Sequence, residues 1–542
     1  MKTVAQSQSH VHFDRMPRRW VAWLLTVLCG LAALAPGAQA QLGVAWAVGM
    51  GGPADDHGRG VAVDPMGNVY TTGYYRSTAN FGDLQLTSEG GQDIFVTKHS
   101  PDGALLWARS MGGGGIANDA GMDIALDSSG NVYITGYFEG IATFDPGPEP
   151  VYLFSSGRLD AFVCKLDTDG GFVWARAMGG VNGERGWGIA VDGAGNVYAT
   201  GVFLTTANFG PFQLVSAGDE ELFVVKLDTD GNYLWARSGG GVGKDFGSDI
   251  AVDSEGNVYV TGEIEDTANY GPLQVSSEGQ GDIIVTKLDT NGNFLWARSM
   301  GGTLADIGLG IAVDAAGNVF TTGYFNGTAN FGPIQLTSTG NQDAFVTKHD
   351  TDGTFLWAAA FSGPGNAAGF SAEVDAEGNV YTSGYFQGTA DFDPGPDTFE
   401  LSSGTGSAIF VSKLDSNGAF QWAQAMGGPG FDNGTGMTVD DEGDVYVTGR
   451  FIGTADFGPF ELTSEGGYDI FVTKLSTSPL FAPADINRDG SVDAVDVQLA
   501  INAALGIAID SSYNADINGN GSVDAVDVQL VINAALGVAI NP

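Results

Sequence analysis

The chain has 542 residues, room for several hundred buried side chains and more than one domain. Glycine accounts for 84 of them without a Gly-X-Y period, which excludes collagen and fits an all-β protein with many tight turns. A formal net charge of -42 excludes a nucleic-acid partner, because phosphates would be repelled over almost the whole surface; it fits solubility outside the cell and an affinity for cations.

Residues 1–40 read as a signal peptide. Arg15, Arg18 and Arg19 form a basic flank, Trp20 to Leu34 is almost wholly apolar, and Ala38-Gln39-Ala40 has the small-x-small form a signal peptidase accepts. The mature chain is expected to start at Gln41, with either Met1 or Met16 as the initiator. Cleavage removes Cys29 and leaves Cys164 as the one thiol, so no intrachain disulfide is expected. No other stretch approaches 18 apolar residues, and no transmembrane span is expected.

From residue 42 onward one unit of roughly 61–65 residues recurs. Gly-Asn-Val-Tyr begins at Gly67, Gly130, Gly195, Gly256 and Gly378, with close variants at Gly317 and Gly443. A second string, of the Asp-Ile-Phe-Val-Thr-Lys type, ends at Lys98, Lys165, Lys226, Lys287, Lys348, Lys413 and Lys474. A third centres on Trp46, Trp107, Trp174, Trp235, Trp296, Trp357 and Trp422. Each unit holds four short strands rich in β-branched and aromatic residues, in the fourth copy Ile250–Asp253, Asn257–Gly262, Asp282–Leu288 and Asn293–Ser299. Asp/Gly turns join the first pair and the last pair.

The ends of the array are permuted. It opens on a lone Trp strand, Gly43–Val48, and stops at a Lys strand, Asp469–Leu475, that lacks a Trp strand after it. A ring whose last unit borrows the N-terminal strand removes both open edges, whereas a linear solenoid would carry distinct caps. The expectation is an all-β, seven-bladed β-propeller of four-stranded blades over 41–475, closed by the N-terminal strand. Its variable face would carry the blade-to-blade connections and the long second-to-third connection, which contains Ala79-Asn-Phe-Gly82 and, in two copies, Phe144-Asp-Pro-Gly-Pro148 and Phe392-Asp-Pro-Gly-Pro396. Loops on such a scaffold are where a ligand, for instance a glycan, would bind. These three strings resemble the bacterial β-propeller repeat family often called SBBP, from Leu42 to about Leu475. The resemblance implies a propeller with an extracellular or surface role and no particular reaction.

The repeated tryptophans are expected to pack blade against blade rather than to stack sugars. The aspartates that end the first strands, from Asp64 and Asp127 to Asp440, are expected to cap turns. Asp167–Gly170 and Asp228–Gly231 are too short to gather the six to eight oxygens calcium takes, and read as turns. Lys98 and its counterparts either pair with strand-end carboxylates or protect an edge strand. The mature chain has three histidines, His57, His99 and His349, and no hydrolase or phosphate-binding motif. Its abundant carboxylates leave glycosidase chemistry as the enzymatic alternative, with no pair singled out.

After a linker at 476–484, two twelve-residue loops lie 31 residues apart, Asp485–Asp496 and Asp516–Asp527. Oxygens at alternating positions fold back on one ion, so each loop is expected to bind one Ca2+. The first site uses Asp485, Asn487, Asp489, the Ser491 carbonyl and Asp496; the second uses Asp516, Asn518, Asn520, the Ser522 carbonyl and Asp527. Amphipathic helices are expected over Val495–Leu505 and Val526–Leu536, each ended by a glycine. Two loop-helix units with Asp at position 12 and no helix before the first resemble a type I dockerin over 485–542. The resemblance implies a cohesin-like partner facing Ala494, Val495, Ala525 and Val526, where well-studied dockerins carry polar pairs. The functional expectation is a secreted or cell-surface, non-catalytic binding or scaffolding propeller held through a calcium-dependent module. The alternative is an extracellular polysaccharide-degrading enzyme.

Overall fold

The computed structural model describes residues 43–145 and 150–476, and in the C-terminal part 486, 494–505, 507, 515, 523 and 528–532. The expected signal segment 1–40, residues 146–149 and most of the linker lie outside these residues. Two compact units divide the chain, one spanning Leu42–Leu480 and the other holding Met1–Gln41 and Phe481–Pro542; each is described by itself.

The larger unit is all-β and propeller-like. In the ladder that represents the pattern, an inner strand (Phe246–Val252), a second (Val258–Ile264), a third (Asp282–Leu288) and an outer strand (Phe294–Gly302) meander antiparallel. Ile250 faces Val260, Thr261 faces Val285 and Lys287 faces Trp296. The inner strand begins four residues before the expected Ile250. Its first half, Phe-Gly-Ser-Asp, lacks the apolar alternation that marks a strand, because neighbouring side chains crowd it. A Cβ on Gly247 would stand 2.2 Å from Thr200 Oγ1, and the pairing shifts register between Gly247 and Asp249.

The same four-strand order follows from inner strands starting at His57, Ala120, Arg185, Ile307, Ala367 and Asn433. The last of these ladders takes its outer strand from the N-terminal end: Gly43–Met50 pairs with Asp469–Ser476, placing Trp46 opposite Lys474 and Val48 opposite Val472. Inner strands stand beside one another in chain order, and the last returns to the first, where the Thr435 hydroxyl donates to the Gly58 carbonyl at 2.7 Å. The core lies between consecutive ladders. Tyr198, Leu222 and Trp235 of one, for example, pack with Ile250, Val260 and Ile284 of the next.

The second-to-third connections depart from the expectation of free binding loops. Each folds into a hairpin, such as Thr78–Phe81 with Leu84–Thr87, which wedges between neighbouring ladders. Asn80 exchanges backbone hydrogen bonds with Gly51 at the end of the preceding outer strand. The aromatic of the Ala-Asn-Phe-Gly string is fully buried: Phe81 lies 5.2 Å from the Phe95 ring, and Phe144 and Phe392 occupy the same place in the two variant copies. The apolar residue at this fixed position fills a cleft left by the splay of twisted sheets.

In the smaller unit a helix runs over Ala494–Ala504, and residues 528–532 are helical. Ile486, Ala500, Ala515, Val528 and Val531 form one buried apolar cluster. Leu505, expected on the apolar face, is 47% exposed, because the helix ends one residue before it. No helix of the described residues is long and apolar enough to cross a membrane.

Candidate functional site

The repeated residues assemble into joints between ladders. The Trp46, Trp174, Trp235, Trp296 and Trp357 indole N–H groups donate to backbone carbonyls of the third-to-outer turn in the following ladder, at 2.9–3.2 Å. The glycine of that turn has positive φ and lies against the indole; a Cβ on Gly231 would stand 2.8 Å from Trp174. Trp107 sits against Gly170 in the same way with its N–H unpartnered, and Trp422 stacks edge-on against Tyr381.

The lysines lie on third strands, paired on both sides, so the edge-protection account does not hold. Their ammonium groups sit over the aromatic ring of the second strand, 4.5–5.1 Å from the centroid. Lys413 also pairs with Asp375 at 2.9 Å, and Lys474 pairs at 2.8 Å with Asp444, the acid standing where other copies have asparagine. The strand-end aspartates cap turns: Asp64 Oδ1 accepts from the Met66 and Asn68 amides, and its Oδ2 from the Asn68 side chain. Asp167 and Asp228 likewise accept backbone N–H groups, an arrangement that serves a turn.

The inner strands enclose an axial cavity of about 640 Å³. Around it the fourth inner-strand position reads Gly60, Asp123, Gly188, Asp249, Gly310, Ser371, Gly436. The alternation has a steric origin. Asp123 Oδ2 reaches across to the Ile189 amide, and Asp249 Oδ2 to the Ile311 amide, both at 2.9 Å. Their Oδ1 atoms accept from Ile124 and Ile250. A Cβ on Gly60 or Gly188 would meet the backbone of these aspartates at 2.8–2.9 Å. Alternation cannot be kept around an odd ring, so two glycines, Gly436 and Gly60, meet at the seam.

Glu373 also lines the cavity, two residues beyond Ser371. Burial, then the charge of Asp249, pushes the Asp123 carboxyl well above the usual range; burial raises Asp249 to about 6; and burial, with Asp249, raises Glu373 to about 8. Both aspartates already spend their two oxygens on backbone amides, which marks them as links between ladders. Arg59, which lines the cavity, interacts with His57, Arg450, Tyr74 and Tyr137, none of which the sequence pattern singles out as a group. The signal that could have found them is the occupant of the bulge position, which changes from copy to copy (Arg59, Met122, Trp187, Ser248, Leu309, Phe370, Thr435) while its neighbours stay fixed.

Of the expected calcium ligands only Asp496 is described. It is buried at the start of the helix and accepts a 2.7 Å hydrogen bond from the Ile486 amide, ten residues back, drawing the loop ends together. Asp485, Asn487, Asp489, Ser491 and the whole second set, Asp516, Asn518, Asn520, Ser522 and Asp527, lie outside the described residues, as do Ala525 and Val526. The donor set is all oxygen, which fits a hard cation. Val495, beside the helix-initiating Ala494, is 51% exposed.

The dockerin type I domain model matches residues 483–536, and the beta-propeller repeat model matches 40–74, 235–265 and 421–450. An uncharacterized WD repeat-containing protein of Acanthamoeba polyphaga mimivirus is 25% identical over 409 residues, 60% of this chain and 29% of that one. Regulatory protein FlaEY of Caulobacter vibrioides is 24% identical over 399 residues, 68% of this chain and 40% of that one. The chain thus spans less than half the length of either relative. Among solved structures, the WD40 domain of Neurospora crassa Pan2 matches at 10% identity and TM-score 0.38, covering 77% of this chain and 88% of that one. The WD40 β-propeller domain of Doa1 matches at 12% and 0.38, covering 80% and 97%.

Proposed function

We propose that this chain, which carries β-propeller repeats and a C-terminal type I dockerin domain, is an exported binding or scaffolding protein. Residues 1–40 direct export. A seven-bladed propeller over 41–475 presents a ligand-binding end without catalysis, and residues 485–542, after the linker at 476–484, attach it to a cohesin-like partner at the cell surface or in an extracellular assembly. Type I dockerin domains bind calcium and cohesins; here two ions would be held, by Asp485, Asn487, Asp489, Ser491 and Asp496 and by Asp516, Asn518, Asn520, Ser522 and Asp527. Calcium neutralises the clustered carboxylates and fixes the loop turns, so the helices can present Ala494, Val495, Ala525 and Val526.

The observation that carries this reading is the buried Asp496 tied to Ile486 at the base of the first loop, within the matched dockerin segment. The non-catalytic part is supported by the channel aspartates. Acid-base or nucleophilic work on a glycosidic bond needs two carboxylates with oxygens free for substrate, and Asp123 and Asp249 use theirs on amides. Surface plasmon resonance of the intact mature chain over an immobilised type I cohesin tests the docking role. Saturable binding in calcium that is lost in chelator is expected; binding indifferent to chelator would overturn it. Release of reducing ends from polysaccharide would favour the enzymatic alternative instead.

A further inference from the structure

The sequence holds 64 acidic residues against 22 basic ones, yet Arg59, which lines the axial cavity, stands close to His57 and Arg450, and among the described residues no carboxylate forms an ion pair with the three. His57 opens the first inner strand, opposite Tyr74. Arg59 occupies the bulge between Gly58 and Gly60. Arg450 lies near the end of a second strand in the adjoining ladder, opposite Asn433. The seam where Gly436 meets Gly60 brings them together.

Each of the three has a buried nitrogen left unanswered. His57 is 4% exposed, its Nδ1 lies 3.4 Å from the Tyr74 hydroxyl, and its Nε2 has no hydrogen-bond partner. The Nε atoms of Arg59 and Arg450 are buried and also without a partner. The carboxylates of Asp127, Asp314, Asp375 and Asp444 pair with lysines, not with these arginines. The two guanidiniums lie over Tyr74 at 5.8 Å and Tyr468 at 4.3 Å, which shields their faces; Arg59 also hydrogen-bonds Tyr74, while the Nε edge of each remains without a partner. Burial first, then the charges of Arg59 and Arg450, hold the His57 pKa well below its usual value, so the imidazole is neutral. The nearby acids are committed elsewhere: Asp56 accepts from the Gly52 and Arg76 amides, and Asp55 from the Tyr468 amide. Arg185, over Tyr137 at 5.9 Å, differs in having Glu184 beside it.

A buried guanidinium Nε left without a partner is costly, and such groups persist where something else completes them. A guanidinium fork matches a carboxylate in two parallel hydrogen bonds, and two forks from adjoining ladders can hold one between them. Tyr74 and Tyr137 both stand near Arg59. We propose that this cluster beside the cavity-lining Arg59 is a binding site for a small organic carboxylate, the charged group held by Arg59 and Arg450 and the ring-shaped body lying against Tyr74 and Tyr137. The site rests on the reading of the propeller as the ligand-binding part of the chain.

Isothermal titration of the intact mature chain tests it with two acids of different origin, galacturonate and benzoate, beside their neutral counterparts galactose and benzamide. At least one acid should bind tenfold or more tightly than its neutral counterpart. Galacturonate alone points to a sugar acid, benzoate alone to an aromatic acid, and either supports the site. Arg59→Gln and Arg450→Gln should each weaken that binding tenfold or more, and the exposed Arg158→Gln should leave it unchanged. Thermal melts report which variants are folded, and if Arg59→Gln is not, Arg450→Gln decides. No binding of either acid, or undiminished binding by a folded Arg450→Gln variant, overturns the proposal. Equal binding of galactose and galacturonate overturns the charged site while leaving the propeller's binding role standing.

Discussion

The Thr473 hydroxyl donates a 2.9 Å hydrogen bond to the backbone carbonyl of Trp46, 427 residues away in sequence. The two residues belong to the strand pair that joins the ends of the larger unit, and every residue from Gly43 to Met50 lies on that outer strand. Without it, the polar backbone edge of Asp469–Ser476 and the side chains of Phe471 and Leu475 lose their cover. Deleting residues 43–50 should lower the melting temperature of the larger unit by ~5 °C or more, while deleting the same length at 477–484 should leave it nearly unchanged. Equal melting temperatures would refute the closing role of this strand.

The inner ring makes a second test. Replacing Asp249 by alanine leaves the Ile311 amide without its acceptor, at a cost of about 1–3 kcal/mol. Asp123→Ala should cost a similar amount through Ile189. Gly188→Ala should also destabilise, since the new methyl group meets the Asp249 backbone at 2.8 Å, and shortening the aspartate side chain should not rescue it. Urea denaturation of the three variants and of the Gly188→Ala/Asp249→Ala pair measures these effects.

Much of this architecture is legible in the sequence. Three strings in fixed register give the strand order, and the permuted ends indicate the pairing of Gly43–Met50 with Asp469–Ser476. The first half of each inner strand is hidden because a threonine hydroxyl of the neighbouring ladder leaves room only for glycine, as at Gly58 and Gly247, which erases the apolar alternation. The hairpin wedges are hidden for a different reason: Ala-Asn-Phe-Gly reads as a turn, and only the neighbouring ladder shows that Phe81 is core. The cluster of Arg59, Arg450 and His57 is invisible in one dimension, since ring closure brings residues 57 and 450 together. The expected calcium loops, by contrast, are local patterns of ligand spacing, and of their ligands only Asp496 is among the described residues.

Acidification should stabilise the larger unit. Pairs of buried acids sit where ladders meet: a Cβ on Gly301 would stand within 3 Å of both Asp282 and Asp306, and one on Gly240 within 3 Å of both Glu221 and Asp245. Burial, the largest cause, raises Asp56, Asp119, Asp306 and Asp469 to about 7 and Asp93, Asp245 and Asp282 to about 6. In the unfolded chain an aspartate titrates near ~3.9. A raised folded-state pKa means the folded chain binds more protons, so this contribution is complete below about 4 and is lost as pH rises through 6–7. The melting temperature of residues 41–475 should therefore fall from pH 5 to pH 8. A rise over that range would contradict the assignment of these acids as protonated in the fold.

The most direct test of calcium-dependent docking is the number of ions bound by the intact mature chain, measured by isothermal titration calorimetry after chelator is dialysed away. The C-terminal part spans too few residues to bury a strong core unaided. An ion that binds only the folded form adds RT ln(1 + [Ca]/Kd), about 2.7 kcal/mol at one hundred times Kd, enough to switch a marginal domain. The account predicts two ions, one remaining after Asp485→Ala or Asp516→Ala and none after both, with helical circular dichroism rising as calcium is added and the melt of the propeller unit unmoved. Two ions still bound by the double variant, or full helicity in excess chelator, would contradict it.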